Sequence, residues 1–187
     1  MSLALGFDAS TPPLTPYPGS RVAAGYIGGN TPHVWTGDEW RRFAQLYQAP
    51  IWVGYLEDDP AGHARDAVAR MRSLGWSAGL EGGNTRACIL DFETEIDPAW
   101  VDAFAIIVRA AGYQTMPYGS QSTIMHDPQR AGRWIALYND LPVLTGDPAA
   151  VGHQFRADVP WSNTQVDLSV WAAEALGHFG QGPRHGN

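Results

Sequence analysis

The best candidates for catalytic residues in this chain lie in residues 86–95, RACILDFETE. This stretch carries two carboxylates close to each other. The stretch begins apolar, as a buried parallel strand does, and continues into Asp91 and Glu93. Because successive side chains on a strand point to opposite faces, these two share a face, with Cβ atoms about 6.6 Å apart. Carboxyl groups this close can differ in pKa and divide acid and anionic roles. Alternatively, one caps the following helix and the other is solvated.

Short apolar or alternating segments bounded by turn residues predict eight strands along the chain. They cover residues 3–10, 21–29, 50–57, the 86–95 stretch, 115–122, 133–140, 151–158 and 164–171. Helices are predicted after the second, third and fourth strands. The first begins at a capping box of Thr36 and Glu39 and runs to about Tyr47, and the last begins at Asp97 and Pro98.

The order of these elements predicts an α/β fold. Alternating strands and helices indicate a parallel sheet, and eight strands suggest that the sheet closes into a barrel. A full eight-fold barrel takes about 250 residues, and this chain has 187. We therefore predict an incomplete TIM-like β/α barrel of eight mostly parallel strands, with helices mainly after strands 2–4. Residues 1–176 form this domain, and the Gly-, Pro- and His-containing residues 177–187 are predicted to be a flexible tail or linker.

Closure of the barrel would gather four acids at one end. Strands one and eight become neighbours, which brings Asp8 beside Asp167, across from Asp91 and Glu93. Each acid is expected at the carboxyl end of its strand, the rim at which barrels of this type carry their chemistry. Four acids together repel one another and have no evident structural use, so they are candidate catalytic residues.

Composition and net charge argue against some classes of binding partner. A net charge of −7 without a basic run argues against nucleic acid. No apolar run approaches the roughly 18 residues of a membrane helix, and no signal peptide opens the sequence. The single Cys88 excludes an internal disulfide. We expect the protein to be a monomer that neither inserts into a membrane nor binds nucleic acid.

Metal and cofactor sites are not expected either. The acids could be joined by His33, His126 or His153, but no two histidines have HxxxH spacing and no cysteine cluster exists. Gly28 and Gly29 are followed by neither a GK[ST] nor a GxGxxG pattern, which argues against a phosphate cradle.

The motifs GFDAS, LDFET and QVDLS, in this order and spacing, resemble those of glycoside hydrolase family 25. Its members are lysozymes that cleave bacterial wall glycan as N-acetylmuramidases and have an incomplete β/α barrel. The resemblance implies that Glu93 is the proton donor. It implies that Asp91 steers the substrate's acetamido group or stabilises the charged intermediate, and that Asp8 and Asp167 are supporting acids.

Further residues are expected to bind the substrate. Tyr118 in MPYGS and Gln154 in HQF match positions that line the groove of that family. Near other strand ends lie further candidates, Tyr55, Glu57, Tyr138 and Trp171. Aromatic rings at such positions could stack on sugars, but packing in the core is an equally open role for each of them.

The N-terminal half differs from the lysozymes and resembles another family. A proline-rich loop replaces the helix usual between strands one and two. This loop, the YIGG segment and the EWRRF helix resemble an uncharacterised glycoside-hydrolase-like family of actinobacterial secreted and phage-encoded proteins. The resemblances imply an extracellular, cell-wall or phage-encoded glycosidase acting on peptidoglycan or a related polysaccharide. The alternative is a non-catalytic glycan-binding or phage structural module that retains the barrel.

Overall fold

The computed structural model describes residues 2–55, 58–80, 85–92, 97–120, 124 and 132–180. Its eight strands form a closed barrel in chain order. They are β1 (Leu3–Ala9), β2 (Val22–Gly29), β3 (Tyr47–Val53), β4 (Ala87–Asp91), β5 (Gln114–Ser120), β6 (Arg133–Ala136), β7 (Ala150–Trp161) and β8 (Thr164–Ala172). Strands β1 to β7 pair in parallel, whereas β8 is antiparallel to both β7 and β1. The predicted fold, an incomplete and mostly parallel barrel, is confirmed.

Helices α1 (Gly37–Arg41), α2 (Pro60–Ser73) and α3 (Pro98–Ala110) follow β2, β3 and β4, as predicted. A four-residue helix, α4 (Ala173–Leu176), follows β8. The capping box of Thr36 and Glu39 is present, but α1 is much shorter than predicted. It ends early because Phe43 and Leu46 turn into the core and the next strand already begins at Tyr47.

Two apolar layers surround the barrel wall. Between the barrel and its helices, Leu90 and Phe92 pack with Phe104, while Ile107 is only partly buried against them. The ring of Phe92 meets that of Trp100 edge-on, with 5.3 Å between ring centroids. The predicted outward face of β4 is therefore confirmed, and its opposite face, with Asp91, is directed into the barrel.

The second layer fills the barrel interior. Its larger members are Ile51, Ile89, Met116, Trp134, Trp171 and Phe179. Two glycines make room for Trp171: a Cβ at Gly6 or at Gly152 would lie 2.6 Å from an indole atom. The interior is therefore packed rather than hollow below the acids.

The chain packs on the barrel as far as Gly180. Phe179 is 1% exposed and meets Trp171 edge-on. The carbonyl oxygens of His178 and Gly180 accept hydrogen bonds from the N–H groups of Ala87 and Gln48, both at 2.9 Å. Residues 177–180 therefore belong to the packed domain and not to the predicted tail, and residues 181–187 lie outside the described residues.

The proline-rich loop between β1 and β2 packs against the hairpin formed by β7 and β8. The indole of Trp161 donates to the carbonyl oxygen of Thr15 at 3.1 Å and lies edge-on to Tyr17. The N–H of Leu14 donates to the side chain of Asn163 at 2.9 Å. The loop thus braces this hairpin beside the acidic end of the barrel.

Within the described ranges, no helix has the length and apolarity needed to cross a membrane.

Candidate functional site

Three acids meet at the barrel end where the parallel strands finish, which we call the mouth. Asp8 and Asp91 lie near the ends of β1 and β4 and are buried, at 4% and 2% exposure. Asp167 is half-buried and directly opposite Asp8 in the β1–β8 register. The predicted neighbourhood of Asp8 and Asp167 is confirmed. Glu93, the fourth predicted acid, lies outside the described residues, as does Glu57.

The predicted place of Asp167 within its strand is wrong. Asp167 occupies the first half of β8 and not the carboxyl end of that strand. It reaches the mouth because β8 runs antiparallel to its two neighbours, so the beginning of β8 lies beside the end of β1.

The carboxamide of Gln154 connects the acids to two tyrosines. Its Nε2 donates to both carboxylate oxygens of Asp8, at 3.1 and 3.2 Å, and to Oδ2 of Asp167 at 3.0 Å. Its Oε1 accepts from the hydroxyls of Tyr118 and, at 3.0 Å, Tyr138. The other oxygen of Asp167 accepts from the backbone N–H of Asp158 at 2.8 Å. The site is therefore one hydrogen-bonded network built from β1, β5, β7, β8 and the residues after β6.

Burial and mutual repulsion hold these groups toward their protonated forms. Burial raises the pKa of Asp8 well above its usual value, and the charges of Asp167 and Asp91 raise it further, while the bond from Gln154 opposes them. Burial also raises the pKa of Asp167. Burial, followed by the nearby Asp8, raises the pKa of Tyr118. Acids with raised pKa values in one cavity are typical of acid–base sites.

The other described residues that were predicted to bind substrate differ in how far they are exposed. Tyr138, which donates to Gln154, and Tyr55, which follows the end of β3, are 57% and 40% exposed, so both rings are accessible to solvent. Tyr118 is half-buried and packs its ring on Trp134, with centroids 4.1 Å apart. Trp171 is 1% exposed inside the barrel, so its assignment to sugar stacking is wrong: no ring face is available.

Two contributors to the site were not predicted from the sequence. Tyr26 packs against the interior layer from β2, close enough to Tyr118 to influence its pKa. Its inward direction follows from the alternation with the buried Val22 and Ala24. The second contributor is the backbone N–H of Asp158, a residue with φ of 56°, and no residue pattern in the sequence predicts its role.

In the described part of the chain, His153 and Cys88 add no reactive group to the mouth. Among the described residues, no group of three or more His, Cys, Asp and Glu could hold a metal ion. The ring nitrogens of His153 contact the carbonyl oxygens of Val143 and Leu137, a structural role. Burial raises the pKa of Cys88 to about 12, so its thiol is not a nucleophile. His126 lies outside the described residues.

The closed, partly helix-covered barrel is a fold shared with lysozymes and endolysins. The catalytic domain of endolysin ply40 from bacteriophage P40 of Listeria monocytogenes superposes with a TM-score of 0.72 at 14% identity, over 94% of this chain and 96% of that one. The bacterial lysozyme from Streptomyces coelicolor gives 0.59 at 14% identity, over 94% and 97% of the two chains.

An uncharacterized protein of B. stearothermophilus has a similar structure. Its TM-score is 0.71 at 18% identity, over 94% of this chain and 99% of that one. No protein family and no curated protein matches the chain by sequence. At these identities the likeness establishes the fold alone.

Proposed function

We propose that the protein is a lysozyme-like glycosidase that hydrolyses bacterial cell-wall glycan. The observation that carries this proposal is the meeting of Asp8, Asp91 and Asp167 at one barrel mouth, from strands far apart in sequence. Exposed tyrosine rings at the same mouth supply surfaces on which sugars stack. The fold shared with an endolysin catalytic domain and a lysozyme supports the same substrate class.

The proposed reaction divides the work between two carboxyl groups. Glu93, two residues beyond Asp91, donates a proton to the oxygen of the leaving sugar. Asp91 stays ionised and accepts a hydrogen bond from the acetamido N–H, while the acetamido carbonyl oxygen attacks the anomeric carbon. Water then opens the resulting ring and returns the proton to Glu93. Such substrate assistance is a recognised exception to the usual pair of catalytic carboxylates.

Asp8 and Asp167 support the reaction electrostatically. Their carboxylates, together with Asp91, place negative charge beside the anomeric centre, where positive charge develops in the transition state. A glycosidase of this kind works at a bacterial cell wall, so we propose that the protein acts there, as a secreted or phage-encoded enzyme.

The test is hydrolysis of purified peptidoglycan by the protein, Glu93→Gln and Glu174→Gln, measured as the release of reducing ends. Glu93→Gln keeps the shape and removes the acid, so hydrolysis should fall by about 10²–10⁴-fold. Its melting temperature should be unchanged or higher, because in the proposed site Glu93 is one of several neighbouring acids that repel one another. Glu174 is exposed on α4 and serves as the matched control, with hydrolysis unchanged.

The outcomes separate the two functions considered. Unchanged hydrolysis by Glu93→Gln would remove Glu93 from the acid role. If the unsubstituted protein binds peptidoglycan without cleaving it, the protein is a glycan-binding or phage structural module instead.

A further inference from the structure

Gln154 has no hydrogen-bonding capacity left for a substrate. A primary carboxamide has two N–H donors and two acceptor lone pairs. Both donors are used, by Asp8 and Asp167, and both lone pairs are used, by Tyr118 and Tyr138. The side chain is also completely buried, at 0% exposure. Gln154 was expected to bind the sugar directly, but no donor or acceptor of its amide is free to do so. Its place in the mouth therefore needs another explanation.

The orientation of this amide is determined by its neighbours. Rotated by half a turn, Oε1 would face the oxygens of two carboxylates, and Nε2 would face two hydroxyls. That arrangement replaces two charge-assisted hydrogen bonds with oxygen–oxygen repulsion. The observed orientation is consequently the one that stabilises Asp8 and Asp167 as carboxylates.

We propose that Gln154 is a positioning residue that acts through Asp8 and Asp167: its amide holds the two facing carboxylates at fixed places and favours their ionised forms against burial and mutual repulsion. The amide also holds the hydroxyls of Tyr118 and Tyr138, which donate to its Oε1. This inference rests on the proposed function for its effect on turnover, but not for its effect on the two acids.

The charges around the pair show why a neutral donor is needed at this position. Asp8 faces Asp167 on β8 and Asp91 on β4, and Tyr118 adds an ionisable group from β5. Tyr138 adds another beyond β6, and the carboxylate of Asp158 on β7 acts on Asp167. Tyr26 on β2 acts on Tyr118. Every one of these groups is acidic. Gln154 supplies side-chain N–H donors among them, and its bond to Asp8 lowers the pKa that burial raises.

The first experiment follows the titration of the aspartate carboxyl groups by carbon-13 NMR in the whole protein and three variants. Gln154→Glu replaces the donors with a further acid, and Gln154→Met removes them without adding charge. Gln45→Glu makes the same charge change at an exposed position on the outer surface. We expect Asp8 and Asp167 to titrate at higher pH in both Gln154 variants and at unchanged pH in Gln45→Glu. Unchanged titration in the folded Gln154 variants would overturn the proposal.

The second experiment measures hydrolysis of peptidoglycan as a function of pH. A positioning role predicts that Gln154→Met lowers kcat by about 10–100-fold, as displaced catalytic groups do, with little change in KM. It also predicts that the acidic limb of the pH profile moves to higher pH. A rise in KM alone would indicate direct contact with the sugar and overturn the proposal. If the unsubstituted protein shows no hydrolysis, the proposed function fails, and the NMR titration still decides the role of Gln154.

Discussion

Replacing Asp8 with Asn should make the protein more stable at neutral pH. Asp8 is 4% exposed and faces Asp167 across two antiparallel strands. The substitution keeps the shape of the side chain and removes its charge. Its carbonyl oxygen can still accept a hydrogen bond from the amide of Gln154.

Desolvation of the buried charge adds to the gain, and two further terms oppose each other in setting its size. Facing residues in an antiparallel pair have Cβ atoms about 5 Å apart, and unit charges at that distance repel by about 3 kcal/mol at an effective dielectric constant of 20. Asp167 is half-buried, so solvent screening reduces this repulsion. The bond from Gln154 weakens by about 1 kcal/mol when its acceptor becomes neutral. The net expectation is a gain of about 1–2 kcal/mol in the free energy of unfolding.

The gain should depend on pH in a defined direction. The pKa of Asp8 is raised in the folded protein, chiefly by burial, so the folded state binds its proton more tightly than the unfolded state. Stability from this group is complete below the unfolded pKa of about 3.9 and is lost as pH rises through the higher folded pKa. Asp8→Asn should therefore match the parent protein near pH 3 and exceed it at pH 7.

Urea unfolding of both proteins at several pH values measures this difference. Using the difference cancels the opposite contribution of groups whose pKa is lowered, such as Asp147. A variant less stable than the parent at pH 7, or a difference that does not change with pH, would refute the electrostatic reasoning.

Two further substitutions test the packing around the site. Phe92→Ala removes a ring that is 2% exposed and lies against Trp100, so it should cost about 3–5 kcal/mol in urea unfolding; a loss under about 1 kcal/mol would contradict the assigned strand faces. Trp171→Phe should leave a cavity inside the barrel and cost about 1–3 kcal/mol, with glycan affinity of the folded protein unchanged in a pull-down with peptidoglycan; lost affinity at full stability would restore Trp171 to the binding surface.

Residue patterns were sufficient to predict much of the framework. Asp97 and Pro98 predicted the start of α3, and the structure shows Asp97 accepting from the N–H of Ala99 at 2.9 Å. The alternation in β4 assigned Leu90 and Phe92 to the helix side and Asp91 to the interior. These features are local, and local preference and tertiary packing agree at these positions.

The direction of β8 could have been predicted but was not. The predicted strands seven and eight are separated only by residues 159–163, and a parallel crossover needs a dozen or more residues. So short a connection indicates an antiparallel hairpin of strands seven and eight. Alternation alone gives the two faces of a strand and not the direction of its neighbour, so Asp167 was assigned to the wrong part of β8.

Other features depend on contacts between distant parts of the chain. Whether Trp171 fills the interior or faces a sugar is decided by Gly6 and Gly152, which leave space for its ring. The saturation of Gln154 requires four partners from four parts of the barrel. No spacing in the sequence specifies such a network.

The antiparallel seam between β1 and β8 has a consequence for how the protein folds. The hairpin of β7 and β8 joins neighbouring segments, whereas Gln154 and Asp8 are separated by 146 residues of chain. Pairing over such a distance costs loop-closure entropy before any contact compensates it, and folds rich in such pairs reach the native state slowly. We therefore expect β1 to join the barrel late, so that the acids come together only when the last seam closes. Repulsion among them then opposes the final step of folding and not the earlier ones, and it should mainly speed unfolding.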